Sequence, residues 1–199
     1  MLLRDQITLE NAFVRLEPLS LAHTDELSEA TAGLEHAWYT SVPTPDAVAA
    51  EIEQRLTWHD EGSMNPWAVR RLDTGKAIGM TTFCNIDQPN RHVEIGHTWI
   101  AVDAQRTAVN TASKLLLLGH AFERCDAVAV EFRTHWHNLQ SRAAIARLGA
   151  KQDGVLRNHR IGPEGTLRDT VVFSIIESEW PAVRSGLRHR LARARTSQP

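Results

Sequence analysis

Three strand-like runs follow one another between residues 67 and 102, and they constrain the fold of this chain more than any other feature of its sequence. Residues typical of strands occupy segments 67–72, 77–83 and 92–102, and turn-forming residues fill 73–76 and 87–90. Such runs, separated by Gly, Pro, Asn and Asp, are typical of antiparallel strands joined by tight turns. The sequence therefore predicts a three-stranded antiparallel meander.

The segments on either side of this meander add helices and further strands. Residues 13–19 alternate like a strand, whereas apolar residues in other segments recur at helical spacing. The predicted helices cover residues 21–34, 44–61, 111–124 and 139–148, and the further strands cover 127–133, 151–160 and 168–176. The order β-α-α-β-β-β-α-β-α-β-β predicts an α/β fold in which helices cover one mixed sheet.

The composition fits one folded domain. Of the 199 residues 42% are hydrophobic and 23% are charged, so the chain can bury a continuous core. The formal net charge is only −2 and the pI is about 6.5, so no whole-protein field favours nucleic acid or an anionic membrane. The longest apolar run, residues 115–118, is too short to span a bilayer. We therefore expect a cytoplasmic protein with neither a membrane nor a nucleic acid as its partner.

Two residue types that often bind metals do not form a metal motif here. Cys84 and Cys125 lack CxxC spacing, so we predict reduced and buried thiols. His135 and His137 would share a face in an extended segment, but no third ligand follows at a recognisable spacing. The sequence therefore predicts no metal site.

Arginines accumulate near residue 199. No acidic residue follows Glu179, while five arginines lie between residues 184 and 195. The pattern predicts a frayed and solvated basic tail over residues 184–199, attached to a domain over residues 1–183. An arm that contacts RNA, the ribosome or an acidic partner is the alternative, and the sequence leaves it open.

The segment between the meander and the next helix can bind a phosphate. A loop that joins a strand to a helix directs several backbone N–H groups outward, and the helix dipole adds roughly half a positive charge there. Such an end is suited to a pyrophosphate, although an ordinary connection that binds nothing has the same pattern. The helix is predicted to start at Thr111 with Asn110 as its N-cap. The loop consists of Gln105, Arg106, Thr107, Ala108, Val109 and Asn110.

Four separate stretches of the chain carry a recognisable pattern when taken together: residues 94–100, 105–110, 138–142 and 148–157. The last is similar to an "LGF..EG.LR" stretch, with Ala150 replacing the aromatic residue and Asp153 the glutamate. In this order the stretches resemble the GNAT family of acyl-coenzyme A N-acyltransferases, close to the branch of ribosomal-protein N-terminal (alanine) acetyltransferases. The resemblance spans about residues 7–187. It implies the GNAT fold, with acetyl-CoA as co-substrate.

The resemblance also implies where acetyl-CoA would bind. The family's phosphate loop has small residues at two positions that are Ala108 and Asn110 here, and Arg106 adds a cation for phosphate. The strand before the loop is expected to separate from its neighbour, so that pantetheine can pair with it like an extra strand. The predicted cofactor-binding residues are Ile100, Ala101, Val102, Gln105, Arg106, Thr107, Ala108, Val109, Asn110, Thr111 and Asn138.

Acyl transfer to an amine needs a base for the amine, a polarised thioester carbonyl and a proton for the leaving thiolate. Glu94 is the candidate base, with a surface ion pair as its alternative role, and His97 on the opposite face is expected to pack against the core. A backbone N–H near Ile100 would polarise the carbonyl. The resemblance implies Ser141 as the acid, because the tyrosine position of many relatives is Ile145 here. A first-turn capping role is the alternative for Ser141.

The sequence leaves the acceptor open. Trp38, Tyr39 and Trp67 lie in the region that shapes the acceptor pocket in this family, so they are the predicted substrate-binding residues. The predicted reaction moves an acetyl group to a primary amine of a protein N-terminus or a small molecule. A larger donor such as succinyl-CoA and a non-catalytic CoA-binding sensor or scaffold are the alternatives. A homodimer is compatible with the sequence, since dimerisation is common in this branch.

Overall fold

The computed structural model describes residues 1–34, 39, 42–162 and 165–196. In that part of the chain, the predicted strands and helices occur in the expected order, with an additional two-residue strand before them and an additional helix after them. The strands are β1 (Leu9–Glu10), β2 (Val14–Pro18), β3 (Met64–Arg71), β4 (Ala77–Asp87), β5 (His92–Ile100), β6 (Ala129–His135), β7 (Lys151–Ile161) and β8 (Leu167–Ile176). The helices are α1 (Thr24–Ala30), α2 (Val48–Asp60), α3 (Ala108–Gly119), α4 (Leu139–Leu148) and α5 (Trp180–Thr196).

The described strands form one mixed sheet in the order β1-β2-β3-β4-β5-β6-β8-β7. Neighbouring strands are antiparallel except for β5 and β6, which are parallel and are connected through α3. The meander formed by β3, β4 and β5 confirms the strongest prediction from the sequence. The predicted fold class, a mixed α/β sheet covered by helices, is therefore confirmed.

Helices cover both faces of the sheet. Residues 64–69 of β3 and 77–84 of β4 are buried without alternation, which requires cover on both sides. Two adjacent residues of β4 show which helix lies on which face: Thr82 is bonded by Arg55 of α2, and Thr81 is bonded by Lys114 of α3. Since neighbouring side chains of a strand point to opposite faces, α2 and α3 lie on opposite faces of the sheet.

Helix α4 has the bounds that the sequence predicts. Gly149 ends it with φ +103°, the left-handed conformation in which glycine has no Cβ penalty.

In the described part of the chain no helix is long and apolar enough to cross a membrane. Both cysteines are unpaired and buried, as predicted.

The prediction of a frayed tail over residues 184–199 is wrong for residues 184–196, which belong to α5. This helix runs without interruption through residues 183 and 184, the position of the predicted domain boundary. Leu187 and Leu191 are buried, and Trp180 stacks on Phe122 with ring centroids 5.5 Å apart. Burying each leucine contributes about 1.5–3 kcal/mol, enough to hold the helix on the domain despite its arginines.

Candidate active site

The two parallel strands at the centre of the sheet pair over only part of their length. Three residue pairs join β5 to β6 in the described chain, from His92↔Ala129 to Glu94↔Glu131. Past this point β5 continues to Ile100 and β6 to His135. We call the space between residues 95–100 and 132–135 the β5–β6 cleft. Unpaired backbone edges of this kind can accept an extended ligand as an additional strand.

A β-bulge marks the start of the open part of β5. Met80 of β4 is opposite Trp99, and Thr82 is opposite Gly96, so β5 contains one residue more than β4 between these pairs. His97 lies in the bulge with φ +46°. A bulge bends its strand and increases its twist, and this turns β5 away from β6.

The bulge is held from one face by the buried side chain of Arg55. Its Nη1 donates to the His97 carbonyl oxygen (3.0 Å) and to Thr82 Oγ1 (3.1 Å), and its Nε donates to Glu51 (2.7 Å). Only 1% of Arg55 is exposed. Because Arg55 lies 42 residues before His97 in the sequence, no local sequence pattern indicates this contact.

A second buried cation holds the bulge from the other face. Lys114 of α3 is 6% exposed, and its Nζ donates to Thr98 Oγ1 (2.9 Å) and Thr81 Oγ1 (3.1 Å). Burial lowers the pKa of Lys114 to about 7. Lys114 was not among the predicted site residues, although a lone lysine beside the apolar run 115–118 is a signal for it.

The backbone of Ile100 faces the cleft, as the prediction for the thioester carbonyl requires. Ala101 donates its N–H to the Ile78 carbonyl oxygen of β4 (2.8 Å). Successive N–H groups of an antiparallel strand point to opposite sides, so the Ile100 N–H points away from β4 and towards the cleft. The Gln105 side chain donates to the Ile100 carbonyl oxygen (3.2 Å), which ties the phosphate loop to the end of β5. Val102 follows in a short 3-10 turn.

The phosphate loop differs from the prediction at its helical end. Helix α3 begins at Ala108, and Thr107 is its N-cap, with its Oγ1 accepting from the Val109 N–H (3.3 Å). The prediction of Asn110 as the cap and Thr111 as the first helical residue is therefore wrong, because Thr107 caps the helix one turn earlier. Arg106 turns the chain with φ +61°. The N–H groups of this first turn are suited to an anion.

Glu94 lies at the boundary between the paired and the open parts of β5. It is 7% exposed, and its Oε2 accepts from Asn85 Nδ2 (2.7 Å) and lies 3.5 Å from Arg133 Nε. Burial raises the pKa of Glu94, and the hydrogen bond from Asn85 and the charge of Arg133 oppose this shift. A raised pKa suits a group that accepts and releases protons near neutral pH.

Asn138 and Ser141 form the first turn of α4, directly after β6. Asn138 is the N-cap, and its Oδ1 accepts from the Ser141 N–H (2.9 Å). Asn138 therefore caps α4, and Ser141 contributes its backbone N–H to that cap. Ile145, at the tyrosine position of many relatives, is buried. The start of α4 lies at the open end of β6, beside the cleft.

Three aromatic residues were predicted to bind the acceptor, and one of them does not fit that role. Trp67 is 0% exposed, donates its Nε1–H to the Ile7 carbonyl oxygen (2.8 Å) and packs edge-on against Phe83. It is therefore a core residue, because no acceptor can reach it. Tyr39 lies with its ring centroid 5.8 Å from that of His135. Trp38 lies outside the described residues.

His97 differs from its prediction as well. The residue is exposed rather than packed in the core, because the bulge turns it out of the regular alternation of β5. Its ring centroid lies 6.0 Å from that of Trp58 on α2. Together with Glu94 and Arg55, His97 lines the side of the bulge that α2 covers.

Comparisons with known proteins agree with this geometry. A family model described as "Acetyltransferase (GNAT) domain" matches residues 14–151. A Bacillus subtilis (strain 168) protein, "Putative ribosomal N-acetyltransferase YdaF", is 33% identical over 109 residues, or 55% of this chain and 58% of the relative. The chain thus spans somewhat more than half the length of that curated relative.

Two solved structures show how closely the fold is shared. A GCN5-related N-acetyltransferase from Brucella melitensis is 30% identical, with a TM-score of 0.83 over 93% of this chain and 85% of the other. Mycobacterium smegmatis RimJ in complex with CoA-disulfide is 19% identical, with a TM-score of 0.80 over 96% of this chain and 97% of the other. At that lower identity the RimJ likeness concerns the fold alone.

Proposed function

This chain belongs to the GNAT acetyltransferase family, and we propose that it transfers an acetyl group from acetyl-CoA to a primary amine by direct attack of the amine on the thioester. The observation that carries the proposal is the β5–β6 cleft, which has a helix N-terminus at its mouth and a buried carboxylate, Glu94, at its closed end. Those are the parts that the reaction needs.

We assign the acetyl-CoA contacts to the mouth of the cleft. The N–H groups between Gln105 and Thr111 would bind the pyrophosphate, with Arg106 as an added cation. The backbone of Ile100, Ala101 and Val102 would run beside pantetheine. Because Val109 is buried, it would contribute its N–H rather than its side chain. The fold shared with RimJ, which was solved with CoA-disulfide, supports this assignment.

Each residue around the cleft would have a separate role in the reaction. Glu94 would take a proton from the acceptor's ammonium group, directly or through a water, and leave a neutral amine. The Ile100 N–H would donate to the thioester carbonyl oxygen as negative charge develops there. Ser141 would donate its hydroxyl proton to the thiolate of CoA as the carbon–sulfur bond breaks, and would regain a proton from the attacking nitrogen, directly or through a water. Asn138 would hold the start of α4 against the cofactor.

The acceptor class remains part of the proposal. The name of the curated relative, a ribosomal N-acetyltransferase, favours a protein N-terminus, and a small-molecule amine uses the same chemistry.

For assembly we propose a homodimer through the tip of the β7–β8 hairpin, where Ile161 and Leu167 are 75% and 60% exposed. Analytical ultracentrifugation checks this, since a sedimentation coefficient that stays monomeric at high concentration contradicts it.

The central experiment separates binding from turnover with two matched variants. Glu94→Gln removes the proposed base, and Glu131→Gln removes the neighbouring carboxylate that lies directly opposite it on β6. We expect Glu94→Gln to lower kcat by about 10²–10⁴-fold on an amine panel while the Kd for acetyl-CoA changes little. Glu131→Gln should stay within a few-fold of wild type.

Three outcomes of this experiment carry different meanings. Failure of the wild type to bind acetyl-CoA in calorimetric titration would remove the proposed function. Binding without turnover on any amine would indicate the non-catalytic CoA-binding module. Parallel titrations with free CoA and succinyl-CoA test whether the acyl group is larger than acetyl.

A further inference from the structure

Two arginines lie directly opposite each other in the β7–β8 hairpin. Arg160 of β7 and Arg168 of β8 are Cα partners in the register of the two strands. Like charges at directly opposed positions of a sheet destabilise it. In the described part of the chain neither arginine has an ion pair with a carboxylate. The hairpin therefore carries a pair of positive charges for which the described residues supply no carboxylate within ion-pair distance.

The side chain of Arg168 also contains an unsatisfied donor. Its Nε atom is buried and makes no hydrogen bond within the described residues. A buried donor on a charged group without a partner costs free energy, so such groups in native proteins usually have a ligand, an ion or a water to bind. This feature points to a missing acceptor atom beside Arg168.

Two nearby arginines, in contrast, have carboxylate partners. Arg133 on β6 is bonded to Glu131 and lies close to Glu94. Arg157, in the same hairpin, is paired with Asp169 at 2.6 Å. These arginines have carboxylates within the protein, whereas Arg160 and Arg168 do not.

The strand register places the arginine pair on the face of the sheet that carries Glu94. Glu94 is opposite Glu131, which is opposite Ser174 of β8. Even-numbered residues of β8 share the face of Ser174, so Arg168 points to the same side as Glu94. Because β8 is antiparallel to β6, Arg168 lies past His135, at the open end of the β5–β6 cleft.

The electrostatics of this region agree with an anion site. Burial lowers the pKa of Arg168, the charge of Arg160 lowers it further, and the charge of Glu94 opposes both effects. Partial burial also lowers the pKa of His159, with further contributions from Arg160, Arg133 and Arg168. Positive charge is therefore concentrated at one side of the cleft, where a bound oxyanion would relieve the repulsion.

We propose that Arg160 and Arg168 bind a carboxylate carried by the acceptor, so that the preferred substrate is an amine with an acidic group. The inference rests on the proposed acetyl transfer and specifies its substrate class. A planar guanidinium matches the two oxygens of a carboxylate, which Arg168 Nε and the opposing Arg160 can share. The amine end of the same molecule then lies towards Glu94 and the Ile100 N–H.

The first test compares acceptors that differ only in this group. Short peptides with Glu or Gln at the second position, and amino acids against their amides, form matched pairs of acid and amide. We expect the acid to be acetylated with kcat/KM about tenfold higher or more, the range for charge-assisted hydrogen bonds. The substitution Arg168→Gln should remove that preference through KM, so that acid and amide are acetylated with equal kcat/KM.

The matched control is Arg157→Gln, since Arg157 lies in the same hairpin but already has Asp169 as a partner. This variant should keep the preference for the acid. The unfolding temperature of Arg168→Gln should equal or exceed that of wild type, because one member of a repulsive pair has been removed. Equal kcat/KM for acid and amide, or a preference that survives Arg168→Gln, overturns the proposal.

A second measurement tests whether an anion binds at Arg168, and it does not depend on acetyl transfer. The Nε–Hε resonance of Arg168, assigned by its loss in Arg168→Gln, is followed by NMR during titration with succinate and with succinamide. We expect a saturable shift with succinate alone. No shift overturns the site, and a shift with inorganic phosphate but not succinate reassigns the anion to a phosphate. Absent turnover combined with a succinate shift would remove only the proposed reaction.

Discussion

The two halves of β5 are built in different ways. Residues 92–94 pair with β4 on one side and β6 on the other, so backbone hydrogen bonds hold them from both edges. Residues 95–100 pair with β4 alone, and two buried cations, Arg55 and Lys114, bind the bulge within them. The closed half is stabilised by the sheet, whereas the open half depends on side chains from α2 and α3. Glu94 lies where the two halves meet.

This difference shows how a sheet can open a binding cleft without losing order. A strand that leaves one neighbour loses half of its backbone hydrogen bonds, and other donors must replace them. Here Arg55 donates to the His97 backbone carbonyl oxygen, whereas Lys114 donates to the Thr98 side chain. Both contacts are sensitive to substitution, and the Lys114 contact is also sensitive to pH. We therefore expect changes in the open half to affect turnover or pH dependence.

The largest effect is expected from Gly96→Ala at the boundary between the halves. A Cβ at this position would lie 2.9 Å from Cys84 Sγ and 3.0 Å from Glu94 Oε1. The Cys84 thiol must therefore shift, and the Glu94 carboxylate must give by a few tenths of an ångström. Because a displacement of about 1 Å in a reacting group can cost about 10²-fold in rate, we expect kcat to fall by up to about 10²-fold. Steady-state kinetics should show this loss in kcat.

The control for this variant is Gly154→Ala on β7, where an added Cβ meets nothing within 4 Å. Its kinetics should match those of wild type. If Gly96→Ala retained full kcat, the position of Glu94 would not be critical, and its role as the base would be contradicted.

The next effect is expected from Arg55→Met, which keeps the apolar stem and removes the guanidinium. The His97 carbonyl oxygen and Thr82 Oγ1 would lose their donor, at a cost of about 1–3 kcal/mol in the free energy of unfolding. Binding of acetyl-CoA should weaken with it, because the bulge loses its support. Urea denaturation and calorimetric titration measure the two quantities. Glu51→Gln, which removes only the ion pair at the helix surface, should cost less, and an equal cost would contradict the role of Arg55 in the bulge.

The smallest effect is expected from Lys114→Met, as a change in pH dependence. Burial lowers the pKa of Lys114 to about 7 in the folded protein, against about 10.4 for an unperturbed lysine. Below pH 7 the Lys114 ammonium group is charged in both the folded and the unfolded state. The free-energy cost of burying that charge then lowers the stability of the folded protein by its full amount. Between about pH 7 and 10 the folded state binds fewer protons than the unfolded state, so the stability of wild type rises relative to the variant.

Urea denaturation at pH 6, 7, 8 and 9 tests this expectation. The difference in the free energy of unfolding between wild type and Lys114→Met should be flat up to about pH 7 and should then increase. Lys76→Met, at an exposed lysine, should reproduce the wild-type profile. A constant difference from pH 6 to 9 would show that Lys114 does not titrate in this range.

Much of the fold could be predicted because its signals are local. The meander follows from turn residues at 73–76 and 87–90, and α4 with its Gly149 cap was predicted with the observed bounds. The start of α3 was misplaced because both Thr107 and Asn110 can cap a helix, and only the conformation of the chain selects one. The helix α5 was missed because its arginines concealed an apolar stripe that includes Leu187 and Leu191.

For the site, the predictions were confined to residues that match a sequence pattern. Glu94 and the Ile100 backbone lie beside the cleft, and Trp67 does not, because the sequence does not tell a core tryptophan from one that contacts substrate. Arg55 and Lys114 match no local pattern. The most distant partner of Arg55 in the sequence is 42 residues away, and that of Lys114 is 33 residues away. These residues meet only when two helices pack on opposite faces of the sheet.

The sequence by itself determined the order of strands and helices, the family resemblance and the loop suited to a phosphate, since each depends on neighbours along the chain. Only the tertiary structure decided where β5 leaves β6, which buried cations hold the bulge, and that Arg160 faces Arg168. The last of these depends on an irregularity in β7 between residues 156 and 160, which shifts the register of the hairpin. Contacts between distant segments arise from the packing of the whole sheet, and no local pattern encodes them.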